Sequence, residues 1–164
     1  MLFMGADGKP AESSGDESKA LIRTIETRDA LEVALLIEQL GYRRLQGDVA
    51  HWIEALSSSP QSTQTAFVAC IDDDVVGWVE VSLQSHIQSP PFALIGGLVV
   101  KEGLRGKRIG KRLCEAAEAW ARRRSVSLLR VTSRSTRPDA HRFYTQNGFE
   151  PTKISHVFEK EILG

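Results

Sequence analysis

The chain has 164 residues, 21 basic and 21 acidic side chains, 41% apolar residues and 7% aromatic ones. That length fits one domain and that composition a soluble globular protein, which excludes chain-wide disorder and collagen-like character. No apolar run approaches the ~18–20 residues that span a bilayer, no secretory h-region follows Met1-Leu2-Phe3-Met4, and Cys70 and Cys114 offer neither zinc spacing nor a disulfide framework. The expectation is a cytoplasmic, reduced protein without a metal.

In chain order, residues 1–19 turn polar after the first four and read as a flexible leader ahead of a domain over 20–164. Leu21–Ile25 predicts a short strand. Thr27-Arg28-Asp29-Ala30 opens a helix with Leu31, Ala34, Leu35, Glu38 and Leu40 at helical spacing, stopped by Gly41. Asp48 is expected to cap a second helix through Trp52 and Leu56, and the stretch 41–51 is a candidate substrate-facing loop by position. Two β-rich runs, 65–71 and 75–83, flank Asp72-Asp73-Asp74 and predict a hairpin. Three consecutive carboxylates do not converge on one ion, so they read as a solvated turn.

Pro90-Pro91 is expected to break the chain before a strand over 92–100, whose Gly96-Gly97 pair predicts a bulge or a close backbone approach. A Gly-, Arg- and Lys-rich loop, a helix through Arg124, a strand over 128–133 and a helix over Pro138–Asn147 closed by Gly148 follow. Phe149 onward reads as a terminal strand or strand pair. The order is α+β around one sheet, with no internal repeat.

Charge is unevenly spread. Residues 101–142 hold 13 basic and four acidic side chains, a local balance of +9 on a neutral protein, which suits a site for a compact anion. The informative stretch is Leu98-Val99-Val100, then Lys101 through Arg108, then a helix with Ile109, Leu113, Ala116, Ala117 and Trp120 on one stripe. The first turn of such a helix presents backbone N–H groups and the positive dipole end to a phosphate. Gly106 and Gly110 let a ligand come close, and Lys107, Arg108, Lys111 and Arg112 add charge. Neither the P-loop motif nor Gly-x-Gly-x-x-Gly is present, so an ATP or NAD site of the usual kinds is not expected.

Arg105-Gly106-Lys107-Arg108-Ile109-Gly110 resembles the [Gln/Arg]-x-x-Gly-x-[Gly/Ala] signature of the GNAT acetyltransferase superfamily, with Arg108 where the family has its middle glycine. Ala140-His141-Arg142-Phe143-Tyr144-Thr145-Gln146-Asn147-Gly148-Phe149 looks like the family's Ala-x-x-Phe-Tyr-x-x-x-Gly-Phe helix and strand, with Arg137 where Asn is often found. The resemblance implies a single-domain α+β fold with a mixed, mostly antiparallel sheet flanked by helices. It also implies acetyl-CoA held in a splay between two strands, on Leu98, Val99, Val100, Arg105, Gly106, Lys107, Arg108, Ile109, Gly110, Lys111 and Phe143. A backbone N–H of Val99 or Val100 would face the thioester carbonyl, with Val99 the first choice.

The implied reaction is acetyl transfer to an amine by direct attack in a ternary complex. Tyr144 is the expected acid toward the leaving thiolate. The acid that many family members carry before the Leu-Val-Val run is replaced here by Gly96 and Gly97, so Glu80 is the first substitute as general base, followed by His86. Tyr42, Trp52 and Trp78 are candidates for lining an acceptor pocket. His141 is expected beside Tyr144, and Cys114 in the core. The alternative is an acyl-CoA-binding module without turnover. The expected partner is a small-molecule or peptide amine, with a mild preference for a cationic one from the acidic remainder of the chain. A nucleic acid or membrane partner is not expected, and a homodimer is compatible with the family's habits.

Overall fold

A computed structural model of the chain describes residues 20–164 apart from Pro60, so the leader expected over 1–19 lies outside the described residues. In chain order the elements are β1 (Leu21–Thr24), a 3-10 turn (Thr27–Asp29), α1 (Ala30–Glu38), α2 (Gln46–Ser57), β2 (Gln64–Ile71) and β3 (Asp74–His86). β4 (Ser89–Val100), α3 (Ile109–Arg123), β5 (Leu129–Val131) and α4 (Pro138–Gln146) follow. The strands form one sheet in the order β1-β2-β3-β4-β5, antiparallel except for the parallel β4–β5 pair. The mixed α+β architecture implied by the resemblance is present.

Alternation along the strands sorts apolar residues onto two faces, and helices cover both. On one face Val79, Val81 and Ile95 meet Ile109, Leu113, Ala117 and Trp120 of α3, the stripe read from the sequence. On the other, Ala66, Val68, Trp78 and Val99 meet Ala30, Val33 and Leu36 of α1 and Val49 and Ile53 of α2. Cys114 and Cys70 are buried in these two cores, and burial pushes the Cys114 thiol up to about 12, which leaves it an inert core residue.

Three expectations need correction. α2 starts at Gln46 with Leu45 as its cap, so Asp48 sits inside the first turn, where its charge favours the positive dipole end without capping. Pro90 and Pro91 do not break the chain. They lie within β4 before its β5 partner begins at Ala93, so their missing N–H groups cost no ladder bond on that side. No strand forms after Phe149, and residues 150–164 are exposed throughout, because that stretch meets no sheet edge of its own chain.

The turn into α1 is locked by a buried carboxylate. Asp29, 3% exposed, receives both Arg23 guanidinium nitrogens at 2.7 Å and the Glu26 N–H at 2.8 Å. Burial alone would raise its pKa, but Arg23 and the Glu26 N–H outweigh that and hold the carboxyl below the usual range. Asp29→Ala strands a guanidinium and an N–H, so it is expected to cost about 3 kcal/mol, or about 6–12 °C in Tm. The folded pKa lies below the unfolded one, so this stabilisation is complete above the unfolded carboxylate value. It is lost as pH falls through the folded one, and calorimetry should show the gap between variant and wild type closing in acid.

Candidate active site

The Gly96-Gly97 pair makes the bulge expected of it. Glu80 pairs with Gly97 and Val81 with Ile95, which leaves Gly96 as the extra residue on β4. β5 pairs with β4 only at Ala93–Ile95, so beyond the bulge β4 runs on to Val100 with no strand beside it. That is a splay between β4 and β5. Lys101 N–H donates to the Val76 carbonyl at 2.7 Å, and ladder alternation then turns Val99 toward Trp78 and aims the N–H groups of Leu98 and Val100 into the splay. The Val100 carbonyl points the same way and accepts from Gln39 Nε2 at 3.0 Å. The backbone donor facing the splay is therefore Val100 or Leu98, not Val99, a parity that needs the register to be known.

At the end of β4 the loop turns into α3. Gly106 has φ +81°, and Arg108, the cap residue of α3, has φ +62°. Arg108 thus holds a left-handed conformation that a glycine would adopt without penalty, at a cost of about 1 kcal/mol. No side chain caps α3 and no acid lies in its first turn, so Ile109, Gly110 and Lys111 carry the N–H groups of a bare helix start. A Cβ on Gly110 would stand 3.0 Å from the Phe143 ring, which packs directly on this turn. Arg105 and Lys107 flank it. Lys111 leans toward Glu115 at 3.9 Å, and Arg112 donates to the Ala20 carbonyl, away from the loop. These groups fit a polyanion of the size of the CoA diphosphate.

Tyr144 stands on α4 between two aromatic rings, edge-on to Phe143 at 5.2 Å and to Phe149 at 5.4 Å. Gly148, at φ +85°, lets the chain fold back so that the Phe149 N–H donates to the Tyr144 carbonyl at 3.0 Å. Among the described residues the Tyr144 hydroxyl has no hydrogen-bond partner. Burial, then the neighbouring Cys114, push the phenol up to about 12 against a weaker pull from Arg137.

Glu80 lies on the opposite face of the sheet, the α1–α2 side, paired with the buried Ala66. A side chain at Gly96 would overlap Glu80 Oε1, so the β3 carboxyl occupies the space that a residue-96 side chain would take on β4. Burial raises its pKa above the usual carboxylate range. A Cβ on Gly97 would lie 2.5 Å from the Trp78 ring, which fills the neighbouring gap. Tyr144 and Glu80 are thus not side by side. Glu80 lies on the α1–α2 side of the sheet, whereas Tyr144 neighbours Cys114, which belongs to the α3 core on the other side.

His86 is placed elsewhere. It stacks on Phe92 at 5.6 Å near the β3–β4 turn, about 20 Å along the strand from Glu80, which removes it as a base for this site. His141 Nε2 bonds the Arg134 carbonyl at 2.9 Å. Trp52 packs against the α1–α2 core. Tyr42 is exposed on the loop after α1 and bonds Arg134 at 3.3 Å, joining that loop to the one between β5 and α4. Sequence reading missed Arg134 and Gln39. Gln39 also accepts the Glu102 N–H at 3.0 Å and so pins the end of α1 to the end of β4. No local signal pairs residues 60 or 90 positions apart.

Residues 31–149 match the model of the acetyltransferase (GNAT) family. The chain belongs to the GNAT acetyltransferase family. Its class of chemistry is acyl transfer. An uncharacterized N-acetyltransferase, YhdJ of Bacillus subtilis, is 39% identical over 121 residues, 73% of this chain and 84% of that protein. An aminoalkylphosphonate N-acetyltransferase of Salmonella typhimurium is 33% identical over 84 residues, 51% of this chain, which span about half (54%) of that relative's length. The fold is similar to that of the aminoglycoside N-acetyltransferase AAC(6')-Iy solved with CoA, with TM-score 0.77 and 17% identity over 87% of this chain and 95% of that one. No described helix of this GNAT chain is long and apolar enough to cross a membrane.

Proposed function

We propose that this GNAT protein transfers an acetyl group from acetyl-CoA directly to an amine within a ternary complex. The observation that carries this reading is the splay, with a bare, basic helix start on one face and a half-buried carboxyl on the other. Acetyl-CoA supplies a thioester whose carbonyl is attacked and whose thiolate departs. On the chain, Arg105 to Lys111 hold the phosphates and Phe143 supports Gly110. The Val100 N–H, or that of Leu98, donates to oxygen as negative charge builds there. Glu80 takes the proton from the attacking nitrogen. Tyr144 donates its O–H toward the departing sulfur.

The module without turnover loses its main motive, because the acid missing from β4 is supplied by Glu80 in the space over Gly96.

The acceptor we infer is an amine that also bears an anionic group. The loops that meet at Tyr42 and Arg134 carry Arg43, Arg44, Arg134 and Arg137 and no acid between residues 39 and 45 or between 132 and 137. No carboxylate pairs with any of the four among the described residues. Guanidinium forks suit a phosphonate or carboxylate and repel a polycation. This reverses the mild preference for a cationic acceptor drawn from whole-chain charge, because steering depends on the charges at the opening. Of the relatives, the aminoalkylphosphonate enzyme acts on such a molecule by its name, whereas the aminoglycoside enzyme's substrate class is polycationic.

Thermal unfolding tests the cofactor. Acetyl-CoA and CoA at about 100 times Kd should each add about 2.7 kcal/mol, a rise of about 5–10 °C, with little from ATP. A thiol-release assay then compares short aminoalkylphosphonates and amino acids with aminoglycosides and polyamines. Turnover with none of them, despite the CoA shift, would favour the binding module. Turnover confined to the polycations would overturn the inferred acceptor class.

A further inference from the structure

β5 pairs with β4 only as far as Ile95, so among the described residues no strand serves the β4 edge beyond the bulge. The N–H and carbonyl groups along such an edge are ordinarily left to water. At the far end of this one they are not. Gln39, the residue that ends α1, donates from Nε2 to the Val100 carbonyl at 3.0 Å. Its Oε1 accepts the Glu102 N–H, also at 3.0 Å.

A single amide that serves a carbonyl and the N–H two residues further on repeats the bonding of one residue in a parallel ladder. The Gln39 carboxamide thus takes the place of one residue of a strand parallel to β4, as β5 is. Val131, opposite Ile95, bounds the free edge at one end and Gln39 at the other. Between them the Leu98 N–H and carbonyl and the Val100 N–H face the splay. The peptide unit after that N–H is held from both sides, because its Lys101 N–H donates to the Val76 carbonyl at 2.7 Å while its Val100 carbonyl accepts from Gln39. The helix that presents Gln39 is itself fixed. Val33 and Leu36 are buried in the core, and Glu32, two turns earlier, accepts the Val75 N–H at 3.3 Å.

We propose that Gln39 is a positioning residue for acyl transfer. Its carboxamide substitutes for a strand residue, closes the window on the β4 edge and keeps the N–H groups of Leu98 and Val100 aimed at the thioester oxygen. This role rests on the acetyl-transfer reading above, and it acts through the backbone of β4 rather than on the reactants. It needs a donor and an acceptor on one planar group. A carboxylate lacks the donor, an apolar side chain lacks both, and a protonated carboxyl has one of each.

The test compares Gln39→Ala, Gln39→Glu and Glu32→Ala in the full-length chain, by steady-state thiol release with an acceptor that the wild type turns over. Gln39→Ala should lower kcat by about 10–100-fold, while the thermal shift with acetyl-CoA stays within about 2 °C of the wild-type shift. Glu32→Ala removes the other tie between α1 and the sheet and should keep kcat within about twofold. An equal loss in Glu32→Ala would mean that only the seating of α1 matters, and overturns the proposal.

Gln39→Glu gives the readout that a merely structural role would not move. Its kcat, taken relative to wild type at the same pH, should rise at least about threefold from about pH 7.5 to about pH 5 as the introduced carboxyl gains its proton. The same ratio for Gln39→Ala should stay flat. A flat ratio for both variants, or a wild-type kcat in Gln39→Ala, overturns the proposal. Hydrogen exchange without any ligand tests the clamp by itself: Glu102 N–H should exchange faster in Gln39→Ala and Lys101 N–H should not, and unchanged exchange at Glu102 overturns it. A wild type with neither an acetyl-CoA shift nor turnover sinks the acetyl-transfer reading and this role with it, whereas turnover that ignores Gln39 sinks this role alone. If Gln39→Ala does not fold, the pH ratio of Gln39→Glu decides.

Discussion

Tyr144→Phe is expected to lower kcat by about 10²–10³-fold and to leave the acetyl-CoA KM within about twofold, as steady-state thiol release would measure. The size follows from what the phenol can do. Half-buried between Phe143 and Phe149, it is pushed up to about 12, whereas a free thiol titrates near ~8.5. Full proton transfer to the departing sulfur would be uphill by about 5 kcal/mol. In the proposed mechanism Tyr144 therefore acts by donating a hydrogen bond to developing thiolate charge, a contribution made in the transition state and little in the ground state. The proton stays on oxygen across the working range, so Tyr144 puts no alkaline limb on the pH profile below about 12. An unchanged kcat in the variant would remove it from the mechanism.

Glu80→Gln is expected to cost about 10²–10⁴-fold in kcat, because it removes the proposed base and keeps the shape that fills the space over Gly96. Its second signature is in pH. The base must be ionised, and burial raises its pKa, so wild-type kcat/KM falls as pH drops through a value above the usual carboxylate range. In the variant that acid limb disappears. A limb that persists in the variant assigns the ionisation to another group, and an unchanged rate leaves proton removal to water. The acetyl-CoA thermal shift should be the same in both proteins, since Glu80 lies on the face away from the phosphate loop.

Much of this site could be read before folding because its pieces are short in sequence. The candidate phosphate loop, from Arg105 to Lys111, and the Phe143–Phe149 stretch each close within one strand–helix or helix–turn unit, so spacing alone carries their geometry. The bulge at Gly96-Gly97 was also legible, since a glycine pair inside an apolar run has few other uses. Choosing between Val99 and Val100 was not, because a strand's spacing is the same whichever way its N–H groups point, and only the Lys101–Val76 bond sets the parity. The arginine cluster on the two loops was invisible for a related reason. Arg43 and Arg134 belong to distant segments of opposite average charge, and the Tyr42–Arg134 bond is what brings their loops together. The end of the chain misled most. Its alternating residues promise a strand, but pattern names only a face to bury and never the chain that buries it.

The glycine window of β4 has a consequence for how such a pocket can change. Glu80 stands in the volume of a side chain at 96 and Trp78 in that of a side chain at 97, so each pair shares one space between two strands. A methyl group added at 97 is no small step, because the indole is 7% exposed and has nowhere to retreat. Alone, a larger residue at either glycine or at either β3 position leaves overlap or a void. Together, a smaller residue at 78 and a larger one at 97 can trade volume. Residues at these four positions are therefore expected to change by paired exchanges across the ladder, with intermediates that are worse than either end.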